Sequence, residues 1–402
     1  MSARVEIVVV GGGLVGLATA YALVLGRASR SVLVLEAEDR LAAHQSGHNS
    51  GVIHSGLYYS PGSLKARTCR EGREALYRFC DDAGVAYRRS GKLVVATRPA
   101  ELPALAWLEE RGQANGLQGL RRLAGAEVEE VEPAARGVAG LWVPETGVVD
   151  FARVAEALGS RVRQAGGEVV TGARVREIRR DGGGLMIGTA AGEFRAALLV
   201  NCAGLQADRI ARLAGTEPGV TIVPFRGEYY ELVPARRSLI RTVIYPVPDP
   251  ALPFLGVHFT RTIADRVEAG PNAVLAWARE GYRRGDVSPR DLAGTLSYGG
   301  FWKLARTHWR TGLAELGRSY SKRLFVRALR RLVPEVRAAD LVPAGSGVRA
   351  QALDAAGTLL DDFYLVEAPA AIHVLNAPSP AATASLAIGR EVAARALRRL
   401  AG

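Results

Sequence analysis

The chain is short of lysine, cysteine and aromatic residues, and each shortage removes a class of function. Of its 52 basic residues only Lys65, Lys92, Lys303 and Lys322 are lysines; the other 48 are arginines. A net charge of +12 would suit nucleic acid or an anionic membrane. The preference for arginine amid abundant alanine fits a GC-rich coding bias equally well, so the charge carries little functional weight. Aromatics make up 6% of the residues and no dense basic run interleaves with them, which argues against a nucleic-acid surface. Cys69, Cys80 and Cys202 are odd in number and lack metal-ligand spacing, so no metal site is expected and a reducing, cytoplasmic setting is. Only Ile7 to Gly26 approaches the length and apolarity of a membrane span, and its five glycines make it a buried strand-turn-helix. At 402 residues the chain exceeds what one core usually serves, so two domains or one elaborated domain are expected.

What is present begins with "VEIVVVGGGLVGLATA". A continuous apolar run reads as a parallel strand buried on both faces. Gly11, Gly13 and Gly16 then form G-x-G-x-x-G, which permits a tight turn, close approach of backbone to a pyrophosphate, and packing of helix on strand. The helix N-terminus turns its N–H groups and partial positive charge to the phosphates. "SVLVLE" is a second strand, and its Glu36 lies 20 residues after Gly16, where a carboxylate accepts from ribose hydroxyls and disfavours a 2′-phosphate. The chain then enters "HQSGHNSGVIHSGLYYSPGSLKA" instead of another βα unit, which favours FAD over NAD.

Further on, helical spacing spans Leu64 to Ala83, "GKLVVAT" reads as a strand, and a helix starts near Phe151. Glu168 to Val170, a strand pair around "DGGG" and "ALLVNCAG" follow, with Gly204 at the carboxyl end of the last strand. Between 216 and 340 alternating strands ("FRGEYYEL", "GVHFTR", "AVLAWA") and two amphipathic helices take over. The fold expected is α/β: a discontinuous Rossmann-like FAD-binding domain (1–90, 146–215 and 341–402) with a second, mixed antiparallel-sheet α+β substrate domain (91–145 and 216–340).

These motifs, with "PVPDPALPFLGVHFTR", "GPNAVLA", "GVRAQALD" and "NAPSPAATASLAIG", resemble the D-amino-acid-oxidase-like flavoprotein superfamily over essentially the whole chain. Within it the sequence is most similar to the L-2-hydroxyglutarate oxidase or dehydrogenase family. The resemblance implies bound FAD, oxidation of L-2-hydroxyglutarate to 2-oxoglutarate, and electrons passed to quinone or oxygen. Another 2-hydroxy acid, an amine or glycerol phosphate on the same scaffold is the alternative.

The residues expected at the flavin are Gly11, Gly13, Leu14, Val15, Gly16, Glu36, Ser46, Gly47, Asn49, Ser50, Gly51, Val175, Ala203, Gly204, Asn376, Ser379 and Pro380. Ser379 is placed at a helix N-cap and Pro380 at the first helical position, with the positive helix end towards the flavin. His48 and His54 sit in the segment expected to run beneath the flavin; His44 is assigned to the surface. Strand alternation sets Gly256, His258 and Thr260 on a face opposite Leu255, Val257 and Phe259. His258 and His54 are the candidate bases, since an imidazole titrates near neutrality. Arg261, Arg349, Tyr58 and Lys65 are the candidate substrate contacts. The segment 301–332, with Trp302, Trp309 and Phe325, is expected either to pack on the substrate domain or to dock peripherally on the inner face of the cell membrane.

Overall fold

The computed structural model describes residues 3–26, 31–248 and 256–401. The stretch "DPALPFL", Leu255 included, lies outside them. Two large sheets dominate the described residues.

The first has eight strands. Its centre is the opening strand Ala3–Val10, parallel to Val32–Leu35 on one side and to Gly192–Asn201, from Phe194 onward, on the other. Glu168–Val170 extends it beyond Val32–Leu35, and Ala371–Asn376 lies parallel to the end of Gly192–Asn201. Alternation explains why the opening strand is apolar at every position from Ile7 to Val10. Ile7 and Val9 enter one core with the helices, while Val8 and Val10 enter a second core with Leu33, Leu199 and Ile187. Helix Leu14–Gly26 packs between Phe151–Gln164 and the terminal helix Ala381–Ala401. Gly389 permits this approach, because a Cβ there would press on the backbone of Ala18. Asp150 caps the 151 helix by accepting from the N–H groups of Ala152 and Arg153.

The second, nine-stranded sheet contains Lys92–Ala96, Arg121–Ala124 and Ala139–Val143 together with strands from 221–275 and 341–353. Its spine is Thr221–Leu232 paired antiparallel with Leu341–Leu353 along nearly their whole lengths. The chain at 341–353, whose small residues read as part of the nucleotide segments, therefore makes its ladder in this sheet and returns to the first only at Tyr364. One face packs on the helices after 299: Phe259, Val267 and Ala269 meet Phe325, Val326 and Leu329. The opposite face looks towards the carboxyl ends of the parallel strands, where ligands bind in open α/β sheets.

Strand 341–353 also grips the segment 44–50. Gly347 lies so close to the His48 carbonyl that a Cβ would collide with it, and the Ala350 N–H donates to Gln45 Oε1 at 2.9 Å.

Candidate active site

Between the two sheets lies a cavity of about 1360 Å³. This exceeds the roughly 300–1,000 Å³ of an ordinary small-molecule pocket and has room for a dinucleotide beside a small substrate.

One end is made largely of backbone. Gly11, Gly13, Leu14, Val15, Glu36, Ser46, Asn49, Ser50, Val175, Ala203 and Gly204 line it. Gly16 lies just behind, where a Cβ would collide with the Gly11 carbonyl; its smallness serves the packing of helix on strand. Glu36 has a role beyond the ribose contact read from sequence. Its Oε2 accepts from the Gly12 N–H at 2.6 Å and its Oε1 from the Glu38 N–H at 2.9 Å, so it fixes the glycine turn. Each oxygen retains a second lone pair for a ligand hydroxyl. Ser46 Oγ likewise accepts from the Leu14 N–H at 2.9 Å and ties the second segment to the helix start.

The other end is made of side chains. His54, Tyr58, Lys65, Tyr229, Tyr245, His258 and Arg349 line it, arriving from six stretches of chain. His258 Nδ1 lies 2.9 Å from the Gly256 carbonyl, which only accepts, so Nδ1 carries the hydrogen and the lone pair is on Nε2. The ring stacks on Tyr245 with centroids 3.8 Å apart. Burial depresses the proton affinity of this imidazole to a pKa of about 3; the Gly256 bond opposes the shift, and the charges of Arg349 and Lys92 add to it. Burial, then Lys92, His258 and Lys65, bring His54 to about 3 as well. The His54 backbone is pinned by Thr383 Oγ1, which accepts from its N–H at 3.0 Å. Lys65 Nζ donates to the backbone and side-chain oxygens of Asp361 at 2.9 Å. The buried Tyr58 hydroxyl, which lines the cavity, has no partner among the described residues and can donate to a ligand.

Several residues chosen from sequence lie elsewhere. Arg261 is outside the cavity, held by Asp265 at 3.1 Å and the Ile240 carbonyl at 3.1 Å: three positions after His258 on one strand, it takes the opposite face. Asn376 is a strut, donating to the Leu360 and Asp362 carbonyls. Gly47 and Gly51 are turn glycines packed against the carbonyls of Ala42 and Val149. Ser379 and Pro380 do line the cavity, but the helix starts at Ala381 and the Ser379–Pro380 peptide is cis, so Pro380 is not the first helical residue. Phe325 is 1% exposed, inside the core under the second sheet. Tyr229 and Tyr245 escaped the sequence reading, although Tyr229 shares strand parity with Gly227, which also faces the cavity.

A family profile described as FAD dependent oxidoreductase, DAO, matches residues 6–395. The chain belongs to the DAO family. It is 49% identical over 395 residues, 98% of this chain and 99% of the relative, to an L-2-hydroxyglutarate dehydrogenase of Indibacter alkaliphilus. It is 45% identical to the mitochondrial L-2-hydroxyglutarate dehydrogenase of Caenorhabditis elegans, covering 98% and 94% of the two chains. Among solved structures, the FAD-bound L-alpha-glycerophosphate oxidase of Mycoplasma pneumoniae superposes with a TM-score of 0.80 at 23% identity, over 98% of this chain and 95% of that one. Glycine oxidase from Geobacillus kaustophilus gives 0.72 at 20% identity, over 99% and 95%. As a DAO-family enzyme the protein is an FAD-dependent oxidoreductase. The cavity fits that cofactor: a glycine turn and helix start able to cradle a pyrophosphate, a buried acid beside them, and a polar chamber at the far end.

Proposed function

We propose that this enzyme oxidises L-2-hydroxyglutarate to 2-oxoglutarate. One observation carries the site assignment: an imidazole whose Nε2 lone pair is left open shares a chamber with two cations, Arg349 and Lys65. The substrate is a dianion with a hydroxyl between its carboxylates, and the chamber supplies a partner for each part. Arg349 holds one carboxylate through a charge-assisted hydrogen bond, and Lys65 meets the other with the N–H it does not give to Asp361. Arg261 drops out of that role and Lys65 replaces it. His258 Nε2 accepts the C2 hydroxyl proton while the C2–H electron pair leaves, turning the C–O single bond into a carbonyl; His54 stands across the chamber as the alternative acceptor. FAD, when bound at the glycine end, supplies the two-electron acceptor. Tyr58, Tyr229 and Tyr245 wall the chamber and exclude water, which strengthens every charge contact inside it.

Anaerobic mixing of the purified yellow protein with L-2-hydroxyglutarate is the direct test. Loss of the oxidised-flavin absorbance with this substrate, and not with glycine or glycerol phosphate, is the expected result; bleaching by either of the others in its place overturns the assignment.

Electrons then pass to a quinone or to oxygen. The kinked helix Gly299–Tyr320 favours the quinone, in a cytoplasmic enzyme that touches the membrane. Trp302, Arg306, Trp309, Leu313, Leu316 and Tyr320 recur at three- and four-residue spacing and are all exposed; Trp302 is 50% and Trp309 54% accessible. Arg310, Arg323 and Arg327 are exposed nearby. Such a face suits peripheral contact with anionic lipid, and among the described residues no helix is long and apolar enough to cross a membrane. Co-sedimentation with anionic vesicles at low salt, released by added salt, is expected; no co-sedimentation refutes the contact.

A further inference from the structure

Lys92 opens strand Lys92–Ala96 and pairs in register with Val243 on the neighbouring strand. It is 1% exposed and does not line the cavity. Its ammonium lies 4.3 Å from the centroid of the Tyr58 ring and 5.2 Å from that of Tyr245, the ring on which His258 stacks. Among the described residues no carboxylate pairs with it. We propose that Lys92 is a positioning residue of the oxidation: acting beside Tyr245, its ammonium adds to burial in keeping the His258 imidazole in the neutral form that accepts the substrate's proton.

The need for such a device follows from the substrate. A dianion entering the chamber brings two negative charges beside the imidazole, and neighbouring anions raise a histidine's proton affinity. A base protonated by its own substrate cannot take the hydroxyl proton. A buried cation beside the stacked tyrosine opposes that shift without competing for the carboxylates, because it does not line the cavity they enter. The aromatic faces stabilise the ammonium in place of an anion. The groups facing this pair are Tyr58 and His54 from the lower segment, Cys69 from helix Leu64–Ala83, Tyr245, and Arg349 from strand Leu341–Leu353. None is an acid ionised near neutrality. Burial brings Lys92 itself to a pKa of about 7, so its influence is strongest on the acid side of neutrality, where an imidazole is most at risk of protonation.

The inference rests on the reading of His258 as the base, and the test separates the two. Turnover with L-2-hydroxyglutarate is followed against pH for the wild-type holoenzyme, Lys92→Met and Lys92→Arg. In parallel, the His258 ring resonance of each FAD-loaded, 13C-histidine-labelled protein is followed with glutarate as a non-reacting dianion, and identified by its absence from His258→Asn. Losing the positive charge should raise the imidazole pKa, so the acid limb of kcat and the ring titration in Lys92→Met should move to higher pH by about one unit. Lys92→Arg should keep both near wild type. If wild-type flavin is not reduced by the substrate but the ring titration moves, the functional reading falls and the role of Lys92 stands. Coincident ring titrations in wild type and Lys92→Met, or a ring neutral to the acid limit of folding in both, overturn the proposal.

Discussion

The two ends of the cavity are built by different means. The glycine end uses mainly what every residue carries, N–H groups and the absence of side chains, at positions mostly close in sequence: Gly11 to Val15, Glu36, and Ser46 to Ser50, joined by Val175, Ala203 and Gly204. The histidine end uses side chains from six separate stretches: four strands of the second sheet, the loop holding His54 and Tyr58, and helix Leu64–Ala83. The first should therefore fail when a side chain is added and the second when one is removed.

The largest effect expected is at the glycine end. Gly16→Val places branched carbons against the Gly11 carbonyl and should yield protein without FAD, read as the loss of flavin absorbance relative to protein. Flavin content equal to wild type would break the contrast. At the histidine end, His258→Ala should keep its flavin and lose turnover by about 10²–10⁴-fold. A near-normal rate would pass the role to His54, tested by the corresponding alanine variant. Next in size is the clamp: Arg349→Ala should raise KM for the dicarboxylate by about 10–100-fold, the worth of one charge-assisted bond. Arg261→Ala, on the opposite strand face, should stay within about twofold of wild type. Equal effects of the two arginines would remove strand parity from the explanation.

The smallest effect on turnover is expected behind the histidine end. Glu132 accepts from the N–H groups of Arg241 and Thr242 at 2.7 and 2.6 Å, and burial raises its carboxyl to a pKa of about 7 against those bonds. Because the folded state holds this proton more tightly than the unfolded chain does, stability should fall as pH rises from about 5 to 8. Glu132→Gln, which keeps the acceptor and cannot ionise, should flatten that decline by about 1–3 kcal/mol. Denaturant titrations at the two pH values give the comparison; parallel declines in both proteins would count against it.

The same contrast explains what was legible in the sequence. The glycine turn, Glu36 and the parallel strands are local patterns, visible because nearby residues specify them. His258 was also readable from its alternating strand, and that alternation carried a warning about Arg261 that the small-residue and charge pattern obscured. Phe325 was ambiguous because a helix with aromatics on several faces does not reveal which one the sheet covers. Lys92 and Tyr245 belong to strands about 150 residues apart in sequence, and only their parallel pairing sets the ammonium beside the ring. Asn376 ends a strand whose neighbours face the cavity, and its own side chain turns to the loop at 360–362.

The packing of the first helix against the last has a consequence for biogenesis. Helix Leu14–Gly26 completes its core only with Ala381–Ala401, and the opening strand waits for Gly192–Asn201. At about 5–20 residues per second, the early apolar strand and helix stand without their final neighbours for tens of seconds while the rest is translated. Flavin capture must therefore come late, and during that interval the nascent amino-terminal segment is the part of the protein most in need of chaperone cover.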